Sequence, residues 1–123
     1  MTTVSVDEYT VEMFLGDSKK LLVTVVNQNG VEQDVSNDRW VSTFKVNADD
    51  AAYVIQKTSD DPNEIERPYG GNNAKGLVKI IPGDTQSEEP GELVFDVEIT
   101  RAADSGVHTV VKGVLTLNQD VTN

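Results

Sequence analysis

Few residues in this sequence could do acid–base or nucleophilic chemistry. His108 is the only histidine, and it lies in a segment whose alternating residues predict a strand. Nucleophilic catalysis needs a nucleophile and a base within hydrogen-bond reach. The sequence has neither a G-x-S-x-G elbow nor a phosphate-cradling glycine loop. We therefore expect His108 to be a solvated surface residue and the protein not to be an enzyme.

Carboxylates fall into three clusters along the chain. They are Asp49 with Asp50, Asp60 and Asp61 with Glu64, and Asp84 with Glu88, Glu89 and Glu92. Carboxylates that converge from loops are typical calcium ligands, although the EF-hand spacing is absent. A solvated acidic surface accounts for them without a metal. The sequence therefore predicts no metal and no cofactor, and an acidic carbohydrate- or calcium-binding module is kept as the alternative.

The composition limits the class of partner. The chain has 123 residues, a net charge of −11 and no cysteine. Its length suits one domain, which we expect to span residues 1–123. So negative a chain is repelled by nucleic acid and by anionic membranes, and neither is an expected partner. The N-terminus does not resemble a signal peptide, and no apolar run has the length of a membrane span. We therefore expect the protein to stay in the cytoplasm in which it is made.

Alternation with a period of two runs through most of the chain and indicates β-strands. The clearest strands are predicted at residues 21–26, 40–46, 93–100 and 107–117, with weaker ones at 10–14, 51–57 and 76–81. About seven short strands separated by turns such as Asn29-Gly30 predict an all-β antiparallel sandwich. Trp40, Phe44 and Phe95 lie on apolar strand faces and are expected in its core. Gly113 is expected at a bulge or a close backbone approach.

The segment from residue 57 to residue 76 is the least strand-like part of the chain. It contains two prolines and three glycines, and loops of this length are often functional. Within it Ile65, Arg67 and Tyr69 are best suited to contact a partner protein, and Tyr69 is the aromatic residue most expected to be exposed. We therefore predict a mobile docking loop here. Glu88, Glu89 and Glu92 form a second predicted docking surface, for a basic partner.

Short motifs follow one another in a recognisable order. They are Gly16-Asp17, the turn at residues 27–30, Asp34-Val35-Ser36, Phe44-Lys45-Val46, Pro82-Gly83-Asp84-Thr85, Pro90-Gly91, the strand at 93–98 and the segment 109–116. In this order they resemble the small immunoglobulin-like domains of tailed bacteriophages, such as the N-terminal domain of the phage baseplate upper protein family. The resemblance covers the chain from about residue 16 onward. Ser87 and Glu88 stand where that family often places an apolar residue, which predicts a loosened corner or one that faces a partner.

The resemblance implies a single immunoglobulin-like antiparallel β-sandwich of about seven strands. It also implies a non-enzymatic structural protein of the virion, located on the tail, baseplate, neck or capsid surface. Its partners would be other phage structural proteins, and a symmetric homo-oligomer within the particle is compatible with this role. Such a protein would be made in the bacterial host cytoplasm and end in the virion.

Overall fold

The computed structural model describes residues 7–119, which form two β-sheets packed face to face. The strands are β1 (Asp7–Phe14), β2 (Lys19–Thr24), β3 (Arg39–Lys45), β4 (Ile55–Thr58), β5 (Ile65–Glu66), β6 (Lys75–Ile80), β7 (Gly91–Thr100) and β8 (Val107–Asn118). One helical turn, α1 (Pro82–Thr85), precedes β7. No helix within residues 7–119 is long and apolar enough to span a lipid bilayer.

The strand order confirms the predicted sandwich. One sheet has the order β1-β8-β7-β3-β4 and the other has the order β2-β6-β5. All the pairings are antiparallel except that of β1 with β8, which is parallel. The period of two places alternate side chains of β3 and β7 between the sheets. There Phe44 and Phe95 stack with ring centroids 5.0 Å apart, so both residues lie in the core as predicted.

Trp40 occupies the centre of the sandwich. It is fully buried, and its indole Nε1 donates a hydrogen bond to the carbonyl of Val35 at 3.3 Å. Strand β6 passes against the ring at Gly76, where an added Cβ would lie 2.6 Å from two ring carbons. Because no carbon approaches another that closely without a shift of the structure, the indole fits here only against a residue that has no side chain.

Strand β8 contains a bulge, but not at the predicted glycine. Val97 pairs with Val111 and Glu98 pairs with Thr109, so Val110 is the extra residue. The bulge lets the consecutive residues Val110 and Val111 both be buried. Gly113 lies in regular register, so the prediction of a bulge there is wrong.

The prediction of a single long loop at residues 57–76 is also wrong. Lys57 belongs to β4 and is buried, Ile65 begins β5, and Lys75 begins β6. Ile65 pairs with Val78 and belongs to the hydrophobic core. The segment is therefore two shorter connections, 59–64 and 67–74, on either side of a core residue. Replacing residues 65–69 with a flexible link would remove that residue and destabilise the fold.

Candidate docking surface

Most of the clustered carboxylates are engaged by nearby groups of the chain. Asp50 accepts a hydrogen bond from the backbone N–H of Asn47, Asp61 accepts one from Asn63, and Glu64 accepts one from Thr58. Asp60 is bound by Arg39 at 2.8 Å, and this contact lowers the pKa of the Asp60 carboxyl. Within the described part of the chain, no three Asp, Glu, His or Cys residues are grouped to hold a metal ion.

His108 lies in β8 opposite Ile99. It is half-buried, and its Nε2 atom is shielded from solvent without a hydrogen-bond partner. The expectation of a solvated histidine is therefore wrong. The ring lies next to the turn that connects β7 to β8. A Cβ added to Gly106 in this turn would be 3.3 Å from the Nε2 atom of His108.

One end of the sandwich, which we call the loop end, is formed by the connections 25–38, 67–74 and 101–106. Buried Asp38 joins them. Its Oδ1 accepts a hydrogen bond from the backbone N–H of Ala102 at 2.8 Å, and its Oδ2 forms an ion pair with Arg101 Nε at 2.8 Å. The Nε–H group of Arg101 is not aligned with Oδ2 for a hydrogen bond, so this second contact is mainly electrostatic. The carbonyl of Asp38 accepts a hydrogen bond from Arg67.

The three predicted contact residues of the 57–76 segment have structural roles at or near this end. Arg67 holds the 25–38 connection through its bond to the carbonyl of Asp38, 2.6 Å long. Tyr69 is half-buried rather than exposed, and its backbone closes a turn with Asn72. Ile65 is in the core and cannot contact a partner from the surface. These three residues therefore do not form the predicted mobile docking loop.

The opposite end, which we call the corner end, is formed by residues 14–18, 46–54 and 81–90. Its central element is α1. Asp84 accepts a hydrogen bond from the backbone N–H of Ile81 and lies 2.8 Å from the buried ammonium group of Lys57. The hydroxyl of buried Thr85 accepts a hydrogen bond from the backbone N–H of Gly16 at 2.9 Å. The sequence predicted a loosened corner or one that faces a partner, but these contacts with Lys57 and Gly16 fasten the corner.

Exposed apolar side chains are concentrated at the corner end. Seven large apolar side chains are exposed in the described structure, and four of them are here, at 47–57% exposure: Phe14, Val46, Tyr53 and Ile81. Glu89 and Glu92 are exposed close by in sequence, and Glu88 is half-buried. A depression of about 310 Å³ at this end is lined by Phe14, Lys19 and neighbouring residues. The corner end therefore combines apolar and acidic groups on a well-anchored frame.

The six residues predicted from the sequence to contact partners do not form one surface. Strand β7 begins beside the acidic residues and ends at Thr100, which is opposite Arg39 at the loop end. Its 10 residues separate the two ends by about 30 Å, given about 3.3 Å per residue. Glu88, Glu89 and Glu92 therefore lie far from Arg67 and Tyr69, and a small contact cannot include both groups.

A shallow groove lies on the outer face of the five-stranded sheet. It has a volume of about 430 Å³ and is lined by Thr43, Lys45, Asp96, Glu98 and Lys112, among others. Burial raises the pKa of the Asp96 carboxyl, and the neighbouring charge of Glu98 raises it further. Because acidic and basic groups alternate here, the groove shows no preference for a ligand of one charge.

Sequence reasoning missed two buried charged residues with structural roles. Asp38 joins the connections of the loop end, and Lys57 pairs with Asp84 at the corner end. In β4 the residue pattern places Ile55 and Lys57 on the same inward face, and this was the available signal for Lys57. Asp38 had no comparable signal, because an aspartate between an asparagine and an arginine reads as part of a turn.

The two-sheet architecture and the strand order define an immunoglobulin-like β-sandwich, and comparison with solved structures agrees. The structure of the NK cell receptor NKp44, described as a triggering partner in natural cytotoxicity, superposes with a TM-score of 0.51 and 14% sequence identity. The match covers 93% of this chain and 97% of the receptor chain. At this identity the likeness establishes the fold alone. No protein-family model matches the sequence, and no curated protein matches it.

Proposed function

We propose that the chain is a non-enzymatic structural protein of a tailed-bacteriophage virion, which docks through its corner end onto a neighbouring protein of the particle. The order of motifs from Gly16 to Thr116, which resembles phage immunoglobulin-like domains, supports this assignment. The proposed location is the virion, with synthesis in the bacterial host cytoplasm. The family resemblance is what supports the phage origin, whereas docking is supported by the exposed apolar and acidic groups of the corner end.

The observation that carries docking is the concentration of exposed apolar groups at the corner end. Phe14, Val46, Tyr53 and Ile81 lose contact with water when a partner covers them, and apolar burial is the main favourable term in association. The acids beside them would add orientation and selectivity for a basic partner surface. The ion pair between Lys57 and Asp84 holds the corner in place before the partner arrives, which lowers the cost of ordering on binding.

Mass spectrometry of purified virions tests the first part of the proposal. The protein should be present at a constant ratio to the known structural proteins and should cosediment with intact particles. If it is absent from washed virions, the assignment as a structural component is wrong.

A pair of matched double variants tests the docking surface. Val46→Ser with Tyr53→Ser changes the corner end, and Val31→Ser with Val107→Ser changes two equally exposed apolar residues near the loop end. Both should leave stability within about 0.5 kcal/mol of the wild type, because these side chains are exposed. Only the corner variant should lose incorporation into particles, by about tenfold or more, a loss that corresponds to about 1.4 kcal/mol.

The same experiment has two outcomes that contradict the proposal. Loss of incorporation with the loop-end variant alone would place the docking surface at the opposite end. Normal incorporation of both variants would show that these apolar groups do not contact the particle. Incorporation should also weaken with rising salt if the acids face a basic partner.

A further inference from the structure

The outer face of the three-stranded sheet is rich in lysine although the protein is strongly acidic. Strands β2, β5 and β6 contain four lysines and one acid, Glu66. The whole chain has 21 acidic and 10 basic residues, so this sheet is an exception to its composition. Such local segregation of charge creates a surface potential opposite in sign to that of the molecule as a whole.

The strand register shows which of these residues point outward. In β6, Gly76 faces the Trp40 ring and Val78 is fully buried, so the alternate residues Lys75, Leu77 and Lys79 face away from the core. In β2, Leu21 and Val23 are buried, so Lys20 and Leu22 lie on the same outer face. Leu77 is only 5% exposed, so the accessible surface, which we call the lysine face, is formed by Lys20, Leu22, Lys75 and Lys79.

Two charges on the lysine face are not neutralised by their neighbours. Lys20 lies directly opposite Lys79, an arrangement that is unfavourable for two like charges. Lys79 is compensated by Glu66 at 2.9 Å and by the carbonyl of Pro62 at 3.1 Å. The ammonium groups of Lys20 and Lys75 have no hydrogen-bond or ion-pair partner among residues 13–119. An acidic partner would relieve this repulsion.

The middle of the lysine face is apolar. Leu22 is 50% exposed and lies directly opposite Leu77, between the Lys20–Lys79 pair and Lys75. A complementary surface would therefore need an apolar side chain with carboxylates on either side. A polyanion such as nucleic acid or an anionic bilayer fits less well, because the net charge of −11 repels extended negative surfaces.

We propose that the lysine face binds the corner end of a second copy of this chain. The corner end offers both kinds of group: Ile81 is 52% exposed, and the acidic residues Glu88, Glu89 and Glu92 follow it along the chain. This inference rests on the proposed function, since it names the neighbour onto which the corner end docks. The two surfaces are different parts of the molecule, so the contact is heterologous. Copies related in this way form a ring if the rotation closes and a filament if it does not.

Reciprocal charge reversal tests the pairing. Variant one carries Lys20→Glu and Lys75→Glu, and variant two carries Glu88→Lys and Glu89→Lys. The control variant carries Lys45→Glu and Lys112→Glu, which make the same change of charge as variant one but on the outer face of the other sheet. Circular dichroism and thermal melting would establish that each variant folds. Sedimentation velocity would then measure self-association up to about 1 mM, since weak contacts have dissociation constants in that range.

The wild-type protein should self-associate with increasing concentration, and less so at high salt. Variants one and two alone should associate at least about tenfold more weakly, because like charges then meet at the contact. An equimolar mixture of the two should associate again, since each now offers surfaces complementary to those of the other. The control should behave like the wild type.

Two results would overturn the inference: a wild-type protein that stays monomeric throughout, or a mixture that associates no better than its components. If the protein is monomeric but variant one fails to enter particles, the lysine face binds a different acidic protein. None of these results decides the proposed function, which depends on the presence of the protein in virions and on the corner-end variants.

Discussion

Removal of the Asp38 carboxylate should loosen the loop end and destabilise the whole domain. In Asp38→Ala the backbone N–H of Ala102 loses its acceptor, and Arg101 keeps its charge with the facing carboxylate gone. Loss of one partner from a buried ion pair typically costs about 3–5 kcal/mol. The Arg101 side chain retains 19% exposure and so can be partly hydrated, which favours the lower limit of that range, about 3 kcal/mol.

The size of this effect can be checked by heat and by urea. At about 2.1 cal/mol/K of unfolding entropy per residue, a loss of about 3 kcal/mol lowers the melting temperature of a domain of this length by about 12 °C. Asp38→Asn keeps an oxygen that can accept from Ala102, so it should cost about half as much. A double-mutant cycle of Asp38→Asn with Arg101→Met should give a coupling free energy of about 1–3 kcal/mol.

The neighbouring Arg39–Asp60 pair provides the control. It has the same chemistry and a similar length, 2.8 Å, but both side chains are more than half exposed. Asp60→Asn should therefore leave the unfolding free energy close to the wild-type value, since exposed ion pairs are hydrated and screened. If Asp38→Ala is as mild as Asp60→Asn, Asp38 is not buried in an ion pair and the description of the loop end is wrong. Hydrogen exchange at the Ala102 amide should accelerate in Asp38→Ala, which reports the loosening directly.

Three further predictions concern the core and the sheet face. Phe95→Ala should cost about 3–5 kcal/mol in urea unfolding, and a cost below about 0.5 kcal/mol would place this ring at the surface. Gly76→Ala should cost about 1–3 kcal/mol, because its methyl group meets the Trp40 ring, whereas Gly83→Ala, which has open space around it, should be nearly neutral. Burial raises the pKa of Asp96, so stability should fall as pH rises through that raised value. Asp96→Asn should therefore be more stable than the wild type at pH 7, and the difference should disappear below the ordinary carboxyl pKa of 3.8; an unchanged difference at low pH would contradict this assignment.

The sequence predicted the sandwich because long strands repeat their alternation several times. Strand β7 has four inward and outward pairs in succession from Leu93 to Thr100, so its buried face could be read correctly. Strand β5 has only two residues and provides no period at all. Ile65 was therefore assigned to a loop, although its burial depends on Val78, which pairs with it across the sheet.

The surfaces were harder to predict because they depend on residues far apart in the chain. Thr85 bonds to Gly16, 69 positions away, and Lys57 bonds to Asp84. Neither contact has a local pattern, since a buried charged residue looks like any other charged residue in a sequence. The acids at Glu88, Glu89 and Glu92 were recognisable, but Phe14, Val46 and Tyr53 beside them come from two other segments that only the fold brings to this end.

The parallel pairing of β1 with β8 has a mechanical consequence. The two strands are paired over eight consecutive residues, from Asp7 opposite Val111 to Phe14 opposite Asn118. Tension applied to the chain before Asp7 and after Asn118 would pull these strands past each other along their length. The evenly spaced hydrogen bonds of a parallel ladder would then carry the force together rather than break one after another. A domain tethered in this direction would resist extension far more than one pulled apart from the edge of a hairpin.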